Sequence, residues 1–439
     1  MRWWIWTSAL LTGCTTIPAA AKDGALTIDL SIRARVEAID GQFRPNTPAD
    51  DTALLLRTIV AADYDAGPLV IGAEVFDSRS YFQRTLSSIA TTEVNALEPV
   101  QAYLKTDFSD HFQGQFGRFT LDLGSRRLVA RSVYRNTTNA FAGARFDLRS
   151  KAGDTATLFW TVPQSRLPDD RDGIRSAGVA LDRESISVQF FGGIFTSRPI
   201  NGTVIEAYLY RLAEHDAPGI LTRDRRLWVP GVRVVRRPAP GQVDFEVEGI
   251  WQGGTTHATT AASDVTALPV FAWAVHGHIG ETFQSPWKPR LAIAVDYGSG
   301  DRPGGQYTRF DTLFGARVFE FGPTSLYGAI SRQNLISVEA RAEASPGKRW
   351  DGYLAARPLW LAEPRDSFGA TGVRDPAGRA GRYAGTQVDM RARYWLVPKR
   401  VRLSAGYTHL FKSGFLTEAA NAPATGDTNY GFTEMTLTL

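Results

Sequence analysis

Residues 26–37, LTIDLSIRARVE, alternate without a fault: Leu26, Ile28, Leu30, Ile32, Ala34 and Val36 on one face, Thr27, Asp29, Ser31, Arg33, Arg35 and Glu37 on the other. A period of two belongs to a β-strand, whose successive side chains point to opposite faces. Further stretches of this kind fall near 52–64, 69–79, 99–106, 112–121, 139–149, 155–163, 184–196, 202–212, 225–237, 241–253, 267–279, 289–299, 335–344, 350–361, 385–397, 400–411 and 430–439. Together they make about eighteen strands, an even number, as a closed single-chain outer-membrane barrel requires. A soluble sandwich of about seven strands of five or six residues matches poorly.

A chain of 439 residues exceeds one ordinary soluble core, so it is several domains or one large closed architecture. Hydrophobic residues make up 43% of it, yet no stretch beyond the N-terminus approaches the ~20 apolar residues of a membrane helix. Connections support the barrel. DAGP (65–68), DFSD (107–110), SKAGD (150–154), SRPING (197–202) and SPGK (345–348) are short and turn-rich; 80–98, 122–138, 164–183, 300–334, 362–384 and 412–429 are long and polar. Short periplasmic turns alternating with long outer loops is the connectivity of bacterial barrels, and it places both termini on the periplasmic side. Residues 312–334 are expected as a folded loop rather than a further hairpin. Tyr64, Phe112, Tyr208, Trp228, Trp251, Trp360, Tyr394, Trp395 and Tyr407 fall near strand ends, as an interfacial girdle would.

The chain opens MRWWIWTSALLTGCTTIPAAAKDG, one Arg, an apolar run and small residues, the composition of a secretory signal peptide. Residues 1–21 are assigned to it, with cleavage before Lys22, and 22–439 to the barrel. LTGC ending at Cys14 is the competing, lipid-modified site. Cys14 is the only cysteine, so cleavage before Lys22 leaves a mature chain without disulfides.

The charge is only +4, from 49 basic and 45 acidic residues, which excludes a polybasic nucleic-acid binder. The basic set is lopsided: seven are Lys and 42 Arg. Arg offers a planar fork that pairs carboxylates bidentately, and Lys does not. By alternation Arg33, Arg35, Arg57, Arg118, Arg145, Arg149, Arg233, Arg391 and Arg393 take the polar face. In GRFTLDL (117–123), Arg118, Thr120 and Asp122 are expected inward and Phe119, Leu121 and Leu123 toward lipid. GSRRLVARSVYRNTTN then follows as a loop, with Arg126, Arg127, Arg131 and Arg135 placed to stand at the mouth or fold into it. Asp29, Glu37, Glu74, Glu98 and Asp122 sit beside these cations. They could merely neutralise them, but self-neutralisation alone needs no surplus of Arg over Lys.

The segments RARVEAIDGQFR (33–44), EVFDSRSY (74–81), VNALEPVQAYL (94–104), GRFTLDLGSRRLVAR (117–131), YRNTTNAF (134–141), DYGSGD (296–301), FDTLFGAR (310–317) and ARYWLVP (392–398) resemble the alginate export outer-membrane barrels over nearly the whole mature chain. The resemblance implies eighteen strands around an arginine-rich constriction that conducts an anionic polyuronate, with loops or turns as gates. By motif, Arg33, Arg35, Arg79, Arg118, Arg126, Arg127, Arg131, Arg391 and Arg393 become carboxylate contacts, joined by Arg57 from the alternation. Glu74, Asp77 and Glu98, with Asp122, hold them in position. The chain ends TLTL at Leu439 instead of on the usual terminal aromatic, and its scarcity of Lys removes or replaces any family site that uses one.

The expected function is export of alginate or a related polyuronate across the outer membrane. Uptake of oligouronates or other small acidic solutes is the alternative. The expected partners are an anionic polysaccharide and outer-membrane lipid, not nucleic acid; periplasmic export machinery is left open. No enzyme, cofactor or metal is expected. His276 and His278 share a strand face near Glu281 and could ligand a metal, but two ligands at i, i+2 arise readily by chance.

Overall fold

The computed structural model describes residues 24–439; the expected signal peptide, Cys14 included, lies outside the described residues. The first nine strands are β1 (Ala25–Asp40), β2 (Asp50–Asp65), β3 (Leu69–Tyr81), β4 (Asn95–Ser109), β5 (Phe112–Phe119), β6 (Phe141–Arg149), β7 (Thr155–Pro163), β8 (Val188–Thr196) and β9 (Thr203–Glu214). The rest are β10 (Arg226–Arg236), β11 (Gln242–Thr256), β12 (Leu268–Thr282), β13 (Arg290–Gly298), β14 (Leu335–Ala344), β15 (Trp350–Trp360), β16 (Tyr383–Val397), β17 (Val401–Lys412) and β18 (Thr428–Thr438). Three short helices, α1 (Arg171–Ser176), α2 (Val318–Phe321) and α3 (Gly414–Glu418), lie in loops. No helix among the described residues is long and apolar enough to cross a membrane.

Each strand pairs antiparallel with its sequence neighbours, and β1 closes the ring on β18 from Ser31↔Thr438 to Asp40↔Asn429. The strand count and the loop at 312–334 are as expected; β4 begins earlier and β8 later than the pattern suggested. Connections alternate in length: short ones such as 66–68, 110–111 and 398–400 at one end, long ones such as 120–140, 164–187, 299–334 and 361–382 at the other.

The wall is inside out relative to a soluble protein. On β1, Leu26 and Ile28 are 60% and 61% exposed while Arg35 and Glu37 are fully buried. Val232, Val247, Ile279, Leu291 and Ile293 continue the apolar outer surface, which only lipid can cover favourably. Inside, apolar side chains gather where loops fold into the barrel. One cluster joins Leu128 and Val129 of the 120–140 loop and Phe310 of the 299–334 loop to Phe141, Phe159, Phe190 and Tyr210 of the wall. A second joins Phe321, Leu326 and Tyr327 to Phe43, Phe368 and Phe415.

This infolding reverses one expectation. Phe119, Leu121 and Leu123 are buried within the inner cluster, not turned to lipid. Phe119 pairs with Phe141, and Arg118 takes the opposite face with Ala102 and Ala142. Alternation defines two faces, but where an apolar loop fills the interior both can be apolar, so composition does not say which is inner. Tyr208 likewise leaves the girdle: it is buried inside and donates to Glu248 Oε1 at 2.6 Å. Trp395, opposite Arg402, stacks under that guanidinium at 5.7 Å. Trp228, Trp251 and Tyr407 stay exposed on the outer surface.

Ile293→Arg, at the centre of β13 on the lipid face, is expected to lower stability by about 2–4 kcal/mol if it lies near the bilayer midplane. Urea unfolding in lipid vesicles, followed by the loss of the heat-modifiable folded band on semi-native gels, measures it.

Candidate site: an arginine-built interior

The 120–140 and 299–334 loops meet inside the barrel as a short parallel ladder. Phe314 N donates to Leu128 O at 2.9 Å, Ala130 N to Phe314 O at 3.1 Å, and Ala316 N to Arg126 O at 3.0 Å. The approach needs Gly315, where a Cβ would lie 1.9 Å from the Arg127 carbonyl oxygen. Backbone drawn away from water must find partners for its carbonyls, and wall arginines supply many of them.

Arg33, on the inner face of β1, donates to Val133 O at 2.7 Å, Arg135 O at 3.0 Å and Asn136 Oδ1 at 2.9 Å. Arg35 donates to Tyr134 O at 2.7 Å, lies 4.0 Å over its ring and pairs with Glu37 at 2.7 Å. Arg57 on β2 binds Val133 O at 3.2 Å and Arg135 O at 3.0 Å. Asn136 Nδ2 completes the anchorage by donating to Leu56, Arg79 and Glu93 carbonyls. Arg131 forks onto Glu74 at 2.6 and 2.9 Å, and Arg126 pairs with Asp122 at 2.9 Å.

Arg127 is the densest node. It binds Glu246 and Glu248 of β11 and reaches Glu320 of α2 at 2.5 Å; Glu320 also binds Arg332. Burial disfavours charge at Arg127, but Glu320, Glu248 and Glu246 more than offset it and hold the guanidinium ionised. Around the node, Arg233 binds Glu206 and Glu246, each at 2.9 Å, and Arg357 binds Asp296 and Glu339, each at 2.6 Å. His276 Nδ1 lies 2.7 Å from Asp296, and His278 Nε2 3.2 Å from Asp244. Glu281 faces out, away from both histidines. The carboxylates that do approach His276, among them Asp296 and Glu320, are already held by Arg127, Arg332 and Arg357. A dication would have to displace those guanidiniums, so the donors fit a salt network better than a metal.

Three sequence candidates, Asp77, Arg79 and Arg118, fall on the outer face. Arg79 and Asp77 pair with each other at 2.9 Å on the outer face of β3, opposite Leu56 and Thr58. The pair sits on the same face as Val75 and Tyr81, one residue out of phase with the inward Ser78 and Ser80. Arg118, on the face opposite Phe119, is held by Glu98 at 2.8 Å and Glu184 at 2.6 Å; Glu98 also accepts from Asp182 N at 2.9 Å.

The remaining inner-face arginines are less fully compensated. Arg393 on β16 pairs with Asp351 at 2.7 Å. Arg391, two residues before it, lies 5.0 Å over the Tyr353 ring and has no carboxylate within ion-pair distance among the described residues. Glu434 on β18 is shared by Arg33, Arg35 and Arg402, at 3.7, 3.5 and 3.2 Å. Arg402 and Glu434 were not singled out in the sequence; their inward phase on β17 and β18, opposite Trp395 and Arg35, was the available signal.

Two outcomes test this geometry. Glu320→Gln leaves Arg332 with carbonyl partners alone and removes one of three acids from Arg127, and should lower stability by about 3–5 kcal/mol. It should also raise single-channel conductance by loosening the 299–334 loop. In the 164–187 loop, burial and the nearby Glu98 push Asp182 up to about 6, against the hydrogen bond from Leu167 N. The folded state therefore binds this proton more tightly than the unfolded one, whose carboxyl titrates near the usual ~3.9. Its stabilisation is full below that value and is lost as pH rises through about 6. Protection factors across 164–187, hydrogen-exchange rates corrected for their intrinsic pH dependence, should be larger at pH 4 than at pH 8, and Asp182→Asn should flatten the difference.

The sequence profile of the Alginate export family matches residues 25–428. No curated protein sequence matches. Among solved structures, Pseudomonas aeruginosa OccK8 (OprE) superposes with a TM-score of 0.60 at 11% identity, covering 94% of this chain and 98% of that one. Acinetobacter baumannii OccAB1 gives 0.58 at 14%, covering 94% and 96%. P. aeruginosa OccK2 (OpdF), in complex with glucuronate, gives 0.57 at 12%, again covering 94% and 96%. At these identities the likeness is one of fold, that of porin-like outer-membrane barrels.

Proposed function

Since the chain belongs to the alginate export family, we propose that it exports an anionic polysaccharide, alginate or a related polyuronate, through its arginine-lined interior. One observation carries this reading: on the inner face around β16, β17, β18, β1 and β2, six guanidiniums have only three carboxylates within ion-pair distance among the described residues. Arg33, Arg35, Arg57, Arg391, Arg393 and Arg402 share Glu37, Glu434 and Asp351 as their carboxylates. A wall braced by ion pairs alone would match each guanidinium to an acid. In a narrow, low-dielectric channel the unmatched guanidiniums attract and order anions, as basic rings do in anion pores. Their fork geometry suits a chain with one carboxylate on every unit.

Uptake of oligouronates is the second reading, favoured by the similar barrel of OccK2 in complex with glucuronate. Both require the same selectivity, and they differ in cargo length and direction.

Reversal potentials of the reconstituted barrel in a salt gradient should show anion preference, and an oligouronate should reduce chloride current. Arg391→Ala with Arg393→Ala should shift selectivity toward cations and weaken the block, each lost charge-assisted bond being worth about 1.5–3 kcal/mol. Lys at both positions should keep the selectivity and lose part of the block, because charge survives without the fork. A cation-selective channel indifferent to uronates would refute the conduit.

A further inference from the structure

Away from that ring, a cavity of about 440 Å³ opens between the 120–140, 164–187 and 299–334 loops. Arg135, Arg166 and Arg317 line it, together with Asn139, Gln164 and Gln333. None of the three guanidiniums is within ion-pair distance of a carboxylate among the described residues. Arg166 donates to Asn139 Oδ1 at 2.7 Å and Thr91 O at 3.1 Å, and Arg317 only to Ile330 O at 3.3 Å. The Arg317 Nε is buried without a partner, and the Arg135 side chain makes no hydrogen bond among the described residues. Arg44 stands close behind: a Cβ at Gly328 would lie 3.3 Å from its Nη2 and 3.5 Å from the Arg317 Nη2.

Gathering like charges away from water is costly unless something answers them. Burial, then Arg135 and Arg44, lower Arg317 to about 9. Burial, then Arg135, lower Arg166 to about 10. The one acid that acts on all of them is Glu93, itself buried and engaged by the Thr92 hydroxyl. Elsewhere in this interior most buried arginines, Arg33, Arg35, Arg127, Arg332 and Arg357 among them, meet an acid; here only neutral acceptors do, and a roomy, polar-lined space takes the place of the acid. Its volume lies in the range of small-ligand sites, ~300–1,000 Å³.

The geometry points to a carboxylate-binding subsite in this loop cavity, in which Arg135, Arg166 and Arg317 hold the acid group of a sugar while the side-chain amides of Gln164 and Gln333 meet its hydroxyls. The assignment extends the conduit reading by placing a uronate unit among the loops before or after the strand-borne ring. It stands on its own residues, so the two can fail separately.

The test uses the full barrel in detergent with glucuronate as probe, glucose and inorganic phosphate as comparisons, and calorimetry with thermal unfolding as readouts. Wild-type protein should bind glucuronate better than either comparison and unfold at a higher temperature in its presence. Arg135→Gln and Arg317→Gln should each weaken glucuronate binding about tenfold, the scale of one charge-assisted bond. Each should also raise the unfolding temperature of the free protein, because a repulsive charge is removed. A heat-modifiable band on gels confirms that each variant is folded. Glucuronate binding unchanged in both variants, or a fall in their free-state unfolding temperature, would mean that the arginines are structural and would overturn the subsite. Equal binding of phosphate or glucose would overturn its assignment to an acidic sugar. A cation-selective wild-type channel would remove the conduit and leave the subsite standing if the variants lose glucuronate.

Discussion

Closure is the constraint on which everything else in this molecule depends. In hydrocarbon, backbone amides have no water to bond, and an open sheet edge would strand a row of them. Pairing β1 to β18 removes both edges at once. The ring then forces side chains to sort by phase: alternate residues meet lipid, and those between them meet whatever fills the inside. Charged residues such as Arg35 and Glu37 are therefore the buried ones, while Leu26 and Ile28 are exposed.

An eighteen-stranded ring is too wide for wall side chains to fill. Here the 120–140 and 299–334 loops fold into it, bringing apolar side chains and, unavoidably, backbone carbonyls. This explains the closeness of guanidinium groups to apolar residues in this part of the chain. A planar fork reaches two acceptors at once, and Arg33 spans a carbonyl and an amide oxygen of one loop, which the point charge of a lysine does less well. Arginines on the wall thus serve as struts that end on carbonyls or acids, whereas Arg391 lies over the ring of Tyr353 with no acid within ion-pair distance among the described residues.

Much of the architecture was legible in the sequence because a period of two over a whole strand is a strong and local signal. The strand number, the alternation of short and long connections and the looped state of 312–334 all followed from it. The phase of Arg33, Arg35, Arg57, Arg391 and Arg393 followed as well, since each lies among clearly apolar neighbours on the other face. Phase failed where that contrast vanished. Around 117–123 the infolded loop makes the inner face apolar, so Phe119 turns inward and Arg118 takes the opposite face. At 77–79, Asp77 and Arg79 neutralise each other on the outer face, a pairing that makes charge tolerable there and that alternation alone does not reveal.

What the sequence by itself determined is the wall: that there are strands, how many, and that they close, because these rest on periodicity and on the demand for paired backbone. Only the tertiary structure decided which cations are consumed. The partners of Arg33 are carbonyls a hundred residues away, Glu434 is shared by three arginines from two strands, and Arg127 finds acids on β11 and α2. Charge balance depends on distances across the lumen, and those are set by how the loops fold into the ring rather than by any local spacing along the chain.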